Sequence, residues 1–136
     1  MKLIAHLPLF ALLLGLFNLV ALSPLGDSYS LDQTLVSWQL VSGAALELSL
    51  GTVLVMAGVV CLFFELAKAT RTSSAAIVDH SLSTLVFVGF LLELLLVPEL
   101  GHSSFLIVTG LSLLDLVSGF TISIATARRD FAVDRP

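Results

Sequence analysis

Residues 104–127 read SFLIVTGLSLLDLVSGFTISIATA, an apolar run with one ionisable side chain, Asp115, near its middle. A membrane-spanning helix needs about 20 predominantly apolar residues, and this run exceeds that. The rest of the chain agrees: its 136 residues are 57% hydrophobic and 12% charged, against about 45–50% and 25% in ordinary soluble domains. A water-soluble domain of this size could not hide so much apolar surface, so lipid is the solvent for much of it. The formal charge of −4 points to no nucleic-acid partner, because several of the ten acids fall inside apolar runs. The single cysteine, Cys61, excludes an intrachain disulfide, a CxxC redox pair and a thiolate zinc site.

Working outward, three more runs can cross a bilayer. Residues 3–22 contain no Asp, Glu, Lys or Arg. Their rival reading is a secretory signal peptide, since Lys2 is basic and Ala21-Leu22-Ser23 imitates a small-x-small cleavage site. The apolar run is longer than a signal core of roughly 7–15 residues, which favours a retained helix. Residues 44–67 form the second span and 75–97 the third, which ends before Pro98 because the residue ahead of a proline is pushed out of helical geometry. Only residues 98–103 separate the third span from the fourth, 104–127, so these two form an antiparallel hairpin. The fold class expected is therefore all-α, four transmembrane helices in an antiparallel bundle forming one membrane domain. Connector 23–43 has a second half in which Ser30 and Gln33 fit a capping box and Leu31, Leu35 and Trp38 recur at helical spacing. Two readings stand: a short interfacial helix with Trp38 anchored at headgroup depth, or an early start to the second span.

Orientation follows from the cations. Lys2, Lys68, Arg71, Arg128, Arg129 and Arg135 are all the lysines and arginines, and they fall at the N-terminus, in connector 68–74 or in the tail 128–136. For four spans those positions share one side, so the positive-inside rule puts both termini in the cytoplasm of a bacterial inner membrane and connectors 23–43 and 98–103 in the periplasm.

Lipid tails are as apolar as leucine, so small residues and polar contacts must bring the helices together. At about 100° per residue, Pro8, Ala11, Gly15 and Asn18 share a face of the first helix, and Glu47, Gly51, Gly58, Cys61 and Glu65 share one on the second. Asp79, Gly89 and Glu93 do so on the third, and Ser112, Asp115, Gly119, Ser123 and Thr126 on the fourth. Helix packing is thus expected at Gly15, Asn18, Gly51, Gly58, Gly89 and Gly119.

Three acids stand out as candidates for an ion or interhelical polar site. Glu47 and Glu93 lie a few residues in from the periplasmic ends of their spans, and Asp115 lies about 18 Å along the fourth helix at about 1.5 Å per residue, near the midplane. An aspartate at that depth costs about 2.5–3.5 kcal/mol, so something must offset it. Ser112 and Ser118, three residues either side, are near enough along the helix to help satisfy its carboxyl. The three acids could instead line a proton or cation path, or Asp115 could meet a basic residue of another subunit. His6 and His80 lie at matched depth and raise a remote alternative, bis-histidine haem ligation; His102 falls in a connector, where it is expected to be solvated. No metal site, cofactor motif, phosphate-binding loop or nucleophile elbow is present in the sequence, and the loops are too short for a catalytic domain.

The leading expectation is therefore a small non-catalytic accessory or assembly subunit, not an enzyme and without a cofactor, whose partners are the bilayer and either another membrane protein or further copies of itself. The alternative is a small proton- or cation-coupled transporter using Asp115 with Glu47 and Glu93. A haem- or quinone-binding respiratory anchor is the remote third.

Overall fold

The computed structural model describes residues 8–22, 30–70 and 75–133. In chain order these form helix α1 (Leu9–Ala21), strands β1 (Thr34–Gln39) and β2 (Ala45–Ser49), helix α2 (Leu50–Ala69), helix α3 (Ala75–Leu96), a 3-10 turn (Pro98–Leu100) and helix α4 (Ser103–Val133). Leu50–Ala69, Val78–Leu96 and Ser103–Ala125 are each long and apolar enough to cross a membrane, and Leu9–Ala21 is a shorter apolar helix. The chain is a multi-pass membrane protein. The expected first span began at residue 3, and its first residues, 3–7, lie outside the described ones, as does most of connector 68–74.

The two strands overturn both readings of the second half of the first connector: it is neither an interfacial helix nor the start of the second span. Val36, Trp38 and Leu40 alternate with polar residues at the strand period of two, and Val41-Ser42-Gly43 closes a three-residue turn. The Gly43 N–H donates to the Leu40 carbonyl at 2.9 Å and the Leu40 N–H to the Ala44 carbonyl at 2.8 Å. Gly43 itself takes a φ of 84°, a left-handed conformation that this type of hairpin loop requires and a Cβ disfavours. The helical spacing of Leu35 misled because Leu35 is the unpaired residue of an irregularity: Thr34 pairs with Ser49 and Val36 with Leu48.

Helix α2 starts at Leu50, not at residue 44. The Ser49 side chain accepts from the Thr52 N–H at 3.2 Å, while the N–H groups of Leu50 and Gly51 donate to the carbonyls of Gln33 and Leu31 at 2.9 and 2.8 Å. Those bonds use the donors that every helix start leaves free, and they clamp the base of the hairpin to the helix. Helix α3 ends one residue before Val97, which is extended ahead of Pro98. The expected polar tail from Arg128 is not a break: α4 runs on to Val133, since no glycine or proline intervenes before Pro136.

The core is aromatic. Phe10, Phe17, Phe90 and Phe105 are fully buried. Phe17 meets Phe105 edge-on at 5.1 Å between centroids, Phe10 meets Phe90 edge-on at 6.5 Å, and Phe90 and Phe105 stack at a tilt at 5.3 Å; such pairs contribute about 0.5–1.5 kcal/mol each beyond the area they bury. Helices α2 and α4 approach closely at glycines. A Cβ on Gly51 would lie 2.5 Å from Ser104 Oγ, and one on Gly58 3.1 Å from Leu111. Both contacts advance seven residues on each helix, so the two run side by side in one direction from the hairpin end. Helix α3 runs the opposite way, with Phe90 against Phe105 near that end and His80 against Ser123 near the other.

Helix α1 packs differently from expectation. A Cβ on Gly15 would have nothing within 4 Å, and the residue is exposed; the helix docks through Phe10, Leu13 and Phe17. Rings of this size gather more dispersion contacts than a glycine groove offers, and with lipid outside, turning a leucine or a glycine outward costs little.

Candidate functional site

The interior polar residues gather into pairs that cross from helix to helix, densest toward the Lys68 end of α2. Glu65 is 4% exposed. Its Oε2 pairs with Lys68 Nζ at 2.8 Å, and its Oε1 accepts the backbone N–H of Leu9 at 2.7 Å. That second bond caps α1. Pro8 stands at the N-cap and offers no side-chain oxygen, so a carboxylate from α2 fills the role, placed where the partial positive charge of a helix start favours an anion.

Asp115 of α4, also buried, is hydrogen-bonded by Ser83 of α3, and the charges of Glu65 and Lys68 both act on it. Ser112, expected to help satisfy Asp115, turns along its own helix and donates to the Thr109 carbonyl at 2.8 Å. Ser118 is half-buried on the adjoining part of α4. The partner of Asp115 thus comes from the neighbouring helix, which spacing along one helix does not reveal. Cys61 lies within the electrostatic reach of Glu65 as well.

One turn further, the imidazole of His80 is pressed into α4. Its Nε2 is 2.6 Å from Ser123 Oγ, a Cβ on Gly119 would stand 2.7 Å from Cε1 and 2.9 Å from Nδ1, and the ring tilts against Phe120 at 5.1 Å. Both ring nitrogens therefore face α4, which does not fit an axial haem ligand. His6, the other half of that reading, lies outside the described residues.

Nearer the hairpin end, Asn18 Nδ2 donates to Glu93 Oε2 at 2.7 Å and to the Leu14 carbonyl at 2.9 Å, joining α1 to α3. Gly89 lies beside Leu14 on the same seam, 3.2 Å from where its Cβ would be. Glu47 is not part of any such line: it sits exposed on β2, opposite Ser37, outside the helices altogether. The descending row of three acids is therefore broken at its first member. His102 is half-buried, not free in a loop; its Nδ1 accepts the Ser104 N–H at 3.1 Å. The proton then resides on Nε2, which faces Asp32 Oδ1 at 3.0 Å and ties the segment before the hairpin to the start of α4.

The acid the sequence reading leaves out of its candidates is Glu65, although it places the residue on the packed face. The signal available was Glu65-x-x-Lys68, an i,i+3 pair at a helix end. Among the described residues no group of three or more His, Cys, Asp or Glu is arranged to hold a metal ion. No protein-family model, curated protein or solved structure matches this chain.

Proposed function

We propose that the chain is a four-span inner-membrane protein, an antiparallel helical bundle with both termini in the cytoplasm, that serves as a non-catalytic accessory or assembly subunit by binding another membrane protein or complex. One observation carries this reading: the buried ionisable side chains and Asn18 are taken up in ties from helix to helix. Glu65 joins α2 to α1, Asn18 with Glu93 joins α1 to α3, and Ser83 with Asp115 and His80 with Ser123 join α3 to α4. Such ties fix register more than they add energy, at about 0.6 kcal/mol on average in membranes. What the ties leave outside is broad and apolar, with Leu12, Leu16 and Leu19 on α1 and Met56, Val60, Phe63 and Phe64 on α2 exposed, the surface that lipid or a partner's helix takes. The cations support the topology: α2 and α4 run the same way, so Lys68 and Arg128 mark one end of the bundle, the end at which Glu65 meets Leu9 at the start of α1.

The test is isolation of the full chain in a mild non-ionic detergent after crosslinking in native membranes. A stoichiometric larger membrane partner is the expected result. A lone homo-oligomer whose ion flux in proteoliposomes disappears with Asp115→Asn would overturn it. That outcome would favour the second reading, a proton- or cation-coupled transporter, which has its own support in the nearness of two buried carboxyl groups, Asp115 and Glu65, beside Lys68. Its acids would be Asp115 and Glu65 in place of the trio with Glu47.

A further inference from the structure

The hairpin of β1 and β2 has two chemically opposite faces. Val36 pairs with Leu48 and Trp38 with Leu46, while Ser37 pairs with Glu47 and Gln39 with Ala45. Because successive side chains of a strand point to opposite sides, the first two pairs form one apolar face and the last two a polar one. Among the described residues most of the apolar face is left open: Trp38 is 54% exposed, Leu46 41% and Val36 38%, while Leu48, next to the start of α2, is half-buried. A two-stranded hairpin is marginal in water unless an apolar face is packed against something. Here the hairpin is also denied freedom to swing away, since Leu50 and Gly51 donate to the Gln33 and Leu31 carbonyls and Ser49 is at once the last strand residue and the cap of α2.

We infer that this apolar face rests on the surface layer of the bilayer, with Trp38 seated among the lipid headgroups and Ser37, Gln39 and Glu47 turned to water. The occupant follows from continuity. Strand β2 passes into a spanning helix with no linker, and the lipid that meets the exposed Val53 and Met56 of α2 begins at the level where the hairpin is clamped. The chemistry fits the same layer: tryptophan is favoured at membrane interfaces, and amphipathic segments lie there with their apolar side down. Residues 34–49 hold one charged side chain, Glu47, and it is on the opposite face.

Trp38 is the only tryptophan in the chain, so fluorescence reads this position alone. The full chain is reconstituted into vesicles of phosphatidylcholine and phosphatidylglycerol. The expected result is blue-shifted emission, protection from aqueous iodide, and stronger quenching by lipids brominated near the headgroup than by lipids brominated deep in the acyl chain. Leu46→Asp, next to Trp38 on the same face, is expected to reverse all three readings, whereas Ala45→Asp on the other face leaves them in place. Red-shifted emission quenched by iodide in the parent overturns the inference. So does blue-shifted emission that neither quencher touches, which would mean that protein, from this chain or another, covers the face. Equal effects of the two aspartates, with helical content unchanged, overturn it too.

Discussion

Replacing Gly119 by alanine would set a methyl group against the His80 imidazole. The added carbon would stand 2.7 Å from Cε1, and ordinary contact begins at 3.4 Å, so the ring has to retreat by the difference, about 0.7 Å. It has little room to do so, because Nε2 is held at 2.6 Å by Ser123 and the ring leans on Phe120. Retreat would stretch that hydrogen bond and force the side chain off its preferred geometry, the usual outcome of overpacking, which costs about 1–3 kcal/mol. Unfolding followed by helical circular dichroism during titration of mixed micelles with a denaturing detergent reads this as an earlier midpoint. His80→Ala alone forfeits the Ser123 bond, but it empties the space the new methyl needs. The double variant is therefore expected to be more stable than the sum of the two singles by about 1–3 kcal/mol, in the range of directly touching residues. Gly110→Ala serves as the control: nothing lies within 4 Å of its Cβ, and it should stay within about 0.5 kcal/mol of the parent. A neutral Gly119→Ala, or a strictly additive double variant, would refute the contact between α3 and α4 described above.

Three further outcomes are expected. Glu65→Leu removes both the Lys68 ion pair and the acceptor for the Leu9 N–H and should cost about 1.5–3 kcal/mol, as hydrogen bonds to charged groups do; Glu65→Gln keeps that acceptor and should cost less, with amide exchange at the start of α1 faster only in the leucine variant. A double-mutant cycle over Asn18→Ala and Glu93→Ala should give a coupling of about 0.6 kcal/mol, and no coupling would remove the bond between α1 and α3 from the account. Gly15→Leu should be tolerated, because a Cβ there meets nothing, while Gly58→Leu should cost about 3 kcal/mol or more by forcing α2 from Leu111 and Val108 in the same unfolding assay.

Three helices able to cross a membrane were legible because length and apolarity, the properties that make a membrane helix, are written along the chain. The limits of the third came from Pro98. What escaped was the hairpin, and the reason is physical. Leu31, Leu35 and Trp38 mimic a helical face only because an irregularity inserts Leu35 between paired residues; without it, Val36, Trp38 and Leu40 followed by a serine-glycine turn and Leu46 and Leu48 would read as two alternating strands. Glu47 was misplaced for the same reason, since its position in a helix depended on where α2 begins. Gly15 shows the weakness of face counting in lipid. A small-residue stripe permits close packing but does not compel it, and three large side chains on another side of α1 decided the contact instead.

The polar site was legible only in part: Asp115, Glu93 and Asn18 stood out along the chain, while Glu65 and Ser83 did not, and the pairings were hidden. In hydrocarbon no water satisfies a polar group, so each needs a protein partner, and helix-start rules that look for Ser, Thr, Asp or Asn at the N-cap cannot find a glutamate that caps α1 from α2 across 56 positions of chain. Yet for α3 and α4 the partners could have been read by depth. These helices are joined by a turn so short that residues equally far from it stand at nearly equal depth. Asp115 lies twelve residues beyond Ser103, and Ser83 thirteen before Leu96; Gly119 and His80 are each sixteen residues from those same two ends. Counting outward from the turn at Pro98–Leu100 brings together the hydrogen-bonded pair and the close contact of Gly119 with His80, whereas counting along α4 alone led to Ser112 and Ser118. In a membrane hairpin the informative spacing is therefore the distance of two residues from the turn that joins their helices, and Asp115 owes its partner to where Pro98 ends α3.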